Sequence, residues 1–318
     1  MKSVGQLMTV KRLNQLVLPA SLLFMAVAVF HQWDRIPQIA WELAPVWLVF
    51  SFLALIVVFF CDAYGWHLTL KALGCSIAPQ ESIKIWMISS LSRYLPGGIW
   101  PYATRAGMAK AAGIDLGTAS LSLYLETLLL TVSSLIVGLP ALIKATALPV
   151  PGWQVAAILL VMLLVITPWL LPLLKKLPGR FGRALSNLPE LSIVTLILLL
   201  GYYLLFWIAF GGVFGLFIHA MYPLSYWEAV YAGSVLALSF CIGFIVFFVP
   251  GGIGIRESAL YVLLLAVLPG TLSVLVAVGS RIWIMAGELT SLGLAMLLNH
   301  FMVSRAAGRR PDPIEGEE

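Results

Sequence analysis

The sequence predicts an all-α polytopic membrane protein with about six full spans, two re-entrant hairpins and an inverted-topology repeat. Three observations carry that expectation. The chain is 61% hydrophobic and only 10% charged, against about 25% charge in a soluble domain. It holds several apolar runs of about 18 residues or more, the length that crosses the hydrocarbon core as a helix. Pro-Gly-Gly-Ile occurs twice, at 96–99 and 250–253, beside apolar segments too short to cross. A β-barrel would show short alternating segments instead.

Ten helices are expected, at 13–31, 45–66, 82–95, 98–112, 117–142, 152–174, 191–219, 227–249, 255–268 and 271–298. The first follows Lys11 and Arg12. Ala26-Val27-Ala28 resembles a signal-peptidase site, but the run continues through Phe30 and is long enough to stay as a span. The segments 82–95, 98–112 and 255–268 fall short of the roughly 20 residues a span needs. Short segments interrupted by Pro and Gly at matching places in two halves mark re-entrant hairpins or broken helices.

Charge sets the orientation. The basic stretches Lys11-Arg12, Lys175 to Arg183 and Arg305 to Arg310 belong inside. Helix 13–31 then runs out and 45–66 returns. The first hairpin, 82–112, dips from the cytoplasm, and 117–142 runs out. Helix 152–174 returns, 191–219 leaves, the second hairpin over 227–268 enters from outside, and 271–298 comes back. Three spans and a hairpin, twice, give an inverted repeat of about 1–147 and 148–300 within one transmembrane domain, 1–310. The acidic end 311–318, PDPIEGEE, reads as a disordered cytoplasmic tail. Both termini are cytoplasmic in this reading, and the setting is a prokaryotic plasma membrane.

The two breaks raise the chemical question. Backbone outside a helix is tolerated at membrane depth only within protein or beside water. Pro96, Gly97 and Gly98, and later Pro250, Gly251 and Gly252, therefore free backbone groups where a ligand can reach them. A helix that starts after such a break aims its positive end at the site. A plain tight turn would need the same residues. Ionisable groups cluster nearby: Arg93, Arg105, Arg256 and Glu257 beside the breaks, Glu126 in 117–142, Arg281 and Glu288 in 271–298, and Asp62 toward the inner end of 45–66. Such groups cost roughly 2.5–3.5 kcal/mol each on the insertion scale and mark pathways or pairs. Structural pairing alone, Arg105 with Glu126 and Arg281 with Glu288 or pairs across the repeats, is the rival reading. Arginine suits bidentate binding of phosphate or carboxylate, and the obvious anion in a membrane is a lipid phosphate.

Other residues exclude function classes. Cys61, Cys75 and Cys241 lack metal or disulfide spacing, and His31, His67, His219 and His300 lie scattered near span ends. Tryptophans such as Trp47, Trp86, Trp100 and Trp227 read as an interfacial belt. No catalytic constellation, cofactor motif or metal site stands out. The net charge of +5 is loop charge, which gives no reason to expect nucleic acid.

RYLPGGIW, followed by Arg105, Gly113 and Glu126, and then PGGIGIRE, resemble the lysylphosphatidylglycerol-synthetase-type transmembrane family, also called flippase-like domain proteins. The resemblance covers nearly the whole chain. It implies a stand-alone member without the cytosolic domain that makes lysyl-phosphatidylglycerol in fused members, and hence no aminoacyl transfer by that route. It also implies a link to moving lipids across the bilayer. The positions it points to are Pro96, Gly97, Gly98, Arg105, Glu126, Pro250, Gly251, Gly252, Arg256 and Glu257. The leading expectation is a translocase for a phosphate-bearing, anionic or polyprenyl-linked lipid, with Arg105, Arg256 and Arg281 as the candidates to hold the phosphate. The alternatives are a lipid-presenting subunit for a separate glycosyl- or aminoacyl-transferase, and an inverted-repeat solute or ion transporter.

Overall fold

A computed structural model describes residues 44–94, 99–146, 191–245 and 254–307. These residues form eight α-helices: α1 (Pro45–Ala72), α2 (Pro79–Ser90), α3 (Trp100–Ala111), α4 (Leu116–Thr146), α5 (Ile193–His219), α6 (Tyr226–Ile245), α7 (Ile255–Leu264) and α8 (Gly270–Ala307). A single 3-10 turn, Leu91–Tyr94, extends α2. Among the described residues there is no strand, and five helices are long and apolar enough to cross a membrane: α1, α4, α5, α6 and α8. The expected helices 13–31 and 152–174, both Pro-Gly-Gly turns and the acidic tail lie outside the described residues.

Local chemistry explains the boundaries. α1 and α2 each begin with proline, whose missing N–H falls where a helix has no acceptor for it. α1 and α3 end in the same way. Gly74 and Gly113 take positive φ, 79° and 88°. Their N–H groups donate to Lys71 and Lys110 carbonyls, and the next N–H groups, of Cys75 and Ile114, reach back to Leu70 and Ala109. That paired closure satisfies the last carbonyls of each helix. Asp115 starts α4 by accepting from the N–H of Gly117, 2.8 Å. Ser225 and Glu228 cap α6 reciprocally.

α2 and α3 have 12 residues each and α7 has 10, too short to span and as expected of hairpin arms. α6 differs: its 20 residues qualify as a span in their own right. Its first turn is exposed, with Tyr226 at 73% and Trp227 at 76%.

The helices pack reciprocally. α1 lies on α2 as α5 lies on α6. α3 joins α2 to α4 as α7 joins α6 to α8. α4 packs on α5 and α6, and α8 packs on α1 and α2. This is the contact pattern that a two-fold internal repeat produces. Small residues allow the closest crossing: Gly211 of α5 meets Gly233 of α6, and a Cβ on either would lie 2.9 Å from the other's Cα. Outward faces of the spans remain apolar, as with Phe50, Leu53 and Val57 on α1 and Leu198, Leu205 and Ile208 on α5.

Two main apolar cores result, beside two small clusters, one of Leu73 with Leu121 and the other of Leu125, Leu129, Leu199 and Tyr203. The larger gathers α5, α6, α7, the first part of α8 and Leu55, Val58 and Phe59 of α1. The smaller gathers Ala63, Trp66 and Leu70 of α1 with α2, α3, the start of α4 and Ala295 of α8. Each core surrounds one hairpin. Asp62 falls between them along α1, and Glu288 falls between them along α8. The charged residues thus form a layer near the middle of the spanning helices.

Candidate functional site

That layer borders a cavity of about 790 Å³, well within the range of small-ligand pockets. Arg93, Arg105, Arg256, Arg281, Asp62, Glu126 and Glu288 line it, among aromatic rings from α5 and α6. Ile99 and Ala103 line it too and are exposed, so the cavity opens beside the start of α3. The described site residues singled out from the sequence all converge here: Arg105, Glu126, Arg256, Arg281 and Glu288 on the wall, and Glu257 through its bond to Arg281. The site calls on Pro96, Gly97, Gly98, Pro250, Gly251 and Gly252 lie outside the described residues.

The first half of the site is a closed clasp. Arg105 on α3 is 6% exposed. It donates from Nη1 to Glu126 Oε2 on α4 and from Nε to Ser89 Oγ on α2, the latter at 2.9 Å. Its guanidinium lies 5.0 Å from the ring centre of Trp86 and 5.4 Å from that of Trp66. The second oxygen of Glu126 accepts the Trp86 indole N–H at 2.7 Å. Charge is matched and the carboxylate is engaged on both oxygens, which is what makes a buried ion pair tolerable.

The second half uses the same elements with exchanged charges. Glu257 on α7 accepts from Arg281 on α8 at 3.4 Å. Its other oxygen accepts the N–H of Gly254 at 2.7 Å, and Gly254 has φ 86°. Glu257 therefore fixes the turn that starts α7. The Gly-Ile-Arg-Glu part of PGGIGIRE follows from this: glycine for the left-handed turn, glutamate to hold it. The intervening Arg256 is free to face the cavity. A third pair, Arg93 to Glu288 at 3.0 Å, bridges the first hairpin and α8.

Arg256 is the exception among these groups. It is 5% exposed and lies over the Phe240 ring at 3.7 Å, yet its Nε and Nη2 are buried with no hydrogen-bond partner. Those two nitrogens form one edge of the guanidinium, the edge that grips two oxygens of a phosphate or carboxylate side by side. Such an edge is a donor pair suited to an oxyanion.

Several sequence expectations need correction. Arg281 pairs with Glu257 in place of an Arg281–Glu288 pair, and Glu288 pairs with Arg93 of the first half, the cross-repeat form of the pairing. Seven residues put the two on one face but about 10 Å apart along the axis, and the hairpin residues are nearer. Asp62 is not near a span end, because α1 continues to Ala72. Trp86 is buried at 3% instead of joining an interfacial belt, and His67 is buried at 7% beside Ser82. Phe240 was missed. Its signal was available: Trp86 and Phe240 each stand ten residues before a Pro-Gly-Gly, and each carries an arginine on its face.

A polytopic helical membrane protein with a charge-lined cavity between two hairpin-centred cores is the class these features define. The sequence model of the lysylphosphatidylglycerol synthase TM region matches residues 15–286, and the chain belongs to that family. No curated protein and no solved structure matches it. Family membership supports a membrane setting and a lipid-related role.

Proposed function

We propose that this protein moves a phosphate-bearing lipid between the leaflets of a prokaryotic plasma membrane, with both termini cytoplasmic. The observation that carries the reading is Arg256, which lines the cavity at the level of the charged layer while its Nε and Nη2 lie buried without a hydrogen-bond partner. An anionic head group supplies the two oxygens those nitrogens lack. The opening beside Ile99 and Ala103 lets acyl or prenyl tails stay in the bilayer while the head group is held. Arg105 serves as a structural clasp in this scheme, because its donors already serve Glu126 and Ser89. In this scheme the two halves form an inverted repeat, and rocking of the hairpins would open the cavity to either leaflet in turn.

The test is leaflet exchange of a fluorescent phosphatidylglycerol in liposomes containing the purified chain. Exchange faster than in protein-free liposomes, and slowed by Arg256→Gln, supports the reading. Exchange no faster than in protein-free liposomes, for phosphatidylglycerol, phosphatidic acid and a polyprenyl phosphate alike, overturns it.

A further inference from the structure

We infer that the head group this cavity takes is a phosphodiester whose far side is neutral and hydroxyl-rich, a glycerol or a sugar, with Asp62 and a row of α4 hydroxyls receiving its OH groups. The inference rests on the phosphate-binding reading above and names the rest of the head group.

The ion pairs set the charge of the ligand. Of the four arginines on the cavity wall, Arg93 is matched by Glu288, Arg105 by Glu126 and Arg281 by Glu257. Arg256 makes no ion pair among the described residues, so one negative charge meets the surplus. Asp62 also lines the cavity without an ion pair, and its Oδ1 is buried with no hydrogen-bond partner. An ionised carboxyl is poorly tolerated in that setting. Asp62 therefore presents a neutral acid, one O–H donor beside a carbonyl acceptor, which is the complement of an alcohol. Asp62 and Arg256 both interact electrostatically with the Arg93–Glu288 bridge, so the two groups border the same region of the cavity.

Helix α4 adds acceptors. Ser120, Tyr124, Thr127 and Thr131 line the cavity. Their spacing of three and four residues puts them on one face of the helix, over about 16 Å. The hydroxyls of Ser120, Thr127 and Thr131 donate to the carbonyls of Leu116, Leu123 and Thr127 at 2.8, 2.8 and 2.7 Å. Each hydroxyl proton is thereby engaged, and the oxygens are left to accept. A ligand on this wall has to bring donors. An ammonium would bring a further cation to a region whose carboxylates already serve Arg93, Arg105 and Arg281. Hydroxyls supply the donors without the charge.

The experiment is equilibrium titration of three short-chain lipids into the detergent-solubilised full chain: dihexanoylphosphatidylmethanol, dihexanoylphosphatidylglycerol and dihexanoylphosphatidylethanolamine. The first carries the phosphodiester alone, the second adds hydroxyls and the third adds an ammonium. The glycerol probe should bind about fivefold tighter than the methanol probe, the equivalent of one net neutral hydrogen bond, or more. The ethanolamine probe should bind no tighter than the methanol probe. Asp62→Leu should lose most of the difference between the glycerol and methanol probes. Asp62→Asn, which keeps a donor and an acceptor, should retain it. Equal affinity for the glycerol and methanol probes in the wild type overturns the hydroxyl reading while leaving the phosphate site intact. A preference for the ethanolamine probe that Asp62→Asn abolishes overturns it in favour of a carboxylate that holds an ammonium. A glycerol preference unchanged in Asp62→Leu overturns the assignment to Asp62. Absence of binding by all three probes overturns the phosphate site, and the hydroxyl reading with it.

Discussion

The guanidinium of Arg256 lies 3.7 Å from the centre of the Phe240 ring, in the position that Arg105 holds over Trp86 in the other half of the molecule. The two arginines share a platform but differ in occupation. Arg105 is engaged by Glu126 and Ser89, whereas Arg256 keeps one edge open. The arrangement thus occurs twice, once closed by a carboxylate from the protein and once with an unpartnered guanidinium edge.

Arg256→Gln should weaken binding of a phosphodiester lipid by about tenfold or more. Each hydrogen bond to a charged group contributes roughly 1.5–3 kcal/mol, and two are at stake. Arg256→Lys keeps the charge without the two-pronged edge and should fall between the two. Equilibrium binding of dihexanoylphosphatidylglycerol checks the order.

Arg105→Ala should act on stability. It leaves Glu126 buried with no counter-charge, a loss of about 3–5 kcal/mol. Replacing both partners together, as Arg105→Met with Glu126→Leu, should recover most of that loss. Thermal unfolding in detergent distinguishes the single from the double variant.

Gly254→Ala should cost roughly 1–2 kcal/mol, because φ 86° is left-handed backbone that a Cβ resists. The strain falls on the turn that Glu257 clamps, so Arg256 is displaced as well. Both the melting temperature and lipid affinity should drop. Gly201→Ala, at a helical position where an added Cβ meets nothing, is the control that should leave both unchanged.

Gly233→Val should separate α5 from α6. A Cβ there already lies 2.9 Å from the Gly211 Cα, and overpacking of this kind typically costs 1–3 kcal/mol. The thermal melt should shift down, and Gly211→Val should do the same.

The spans were legible because an apolar run of sufficient length has few other uses. The short helices α2, α3 and α7 were legible as segments too short to cross, whereas α6 is long enough to be a span. The Arg105–Glu126 pair was legible as the rival reading, since two opposite charges in adjacent apolar segments seek each other, while the phosphate role expected of Arg105 gave way to it. The remaining pairs did not follow. Arg281 has two glutamates within reach of a sequence argument, and only the packing of α7 on α8 selects Glu257. The depth of Asp62 was hidden because the polar residues after it, including His67, Thr69 and Lys71, resemble the end of a span. In the fold, His67 and Thr69 turn inward to Ser82 and to the Gly65 carbonyl, and α1 runs on. The empty edge of Arg256 depends on atoms that no spacing rule describes.

The most direct measurement is native mass spectrometry of the protein purified in mild detergent, comparing wild type with a folded Arg256→Gln variant. A phosphate-bearing lipid enriched over the membrane average in the wild type, and lost from the variant, is the predicted result. The same bulk lipids on both proteins would contradict the claim that Arg256 holds a lipid phosphate.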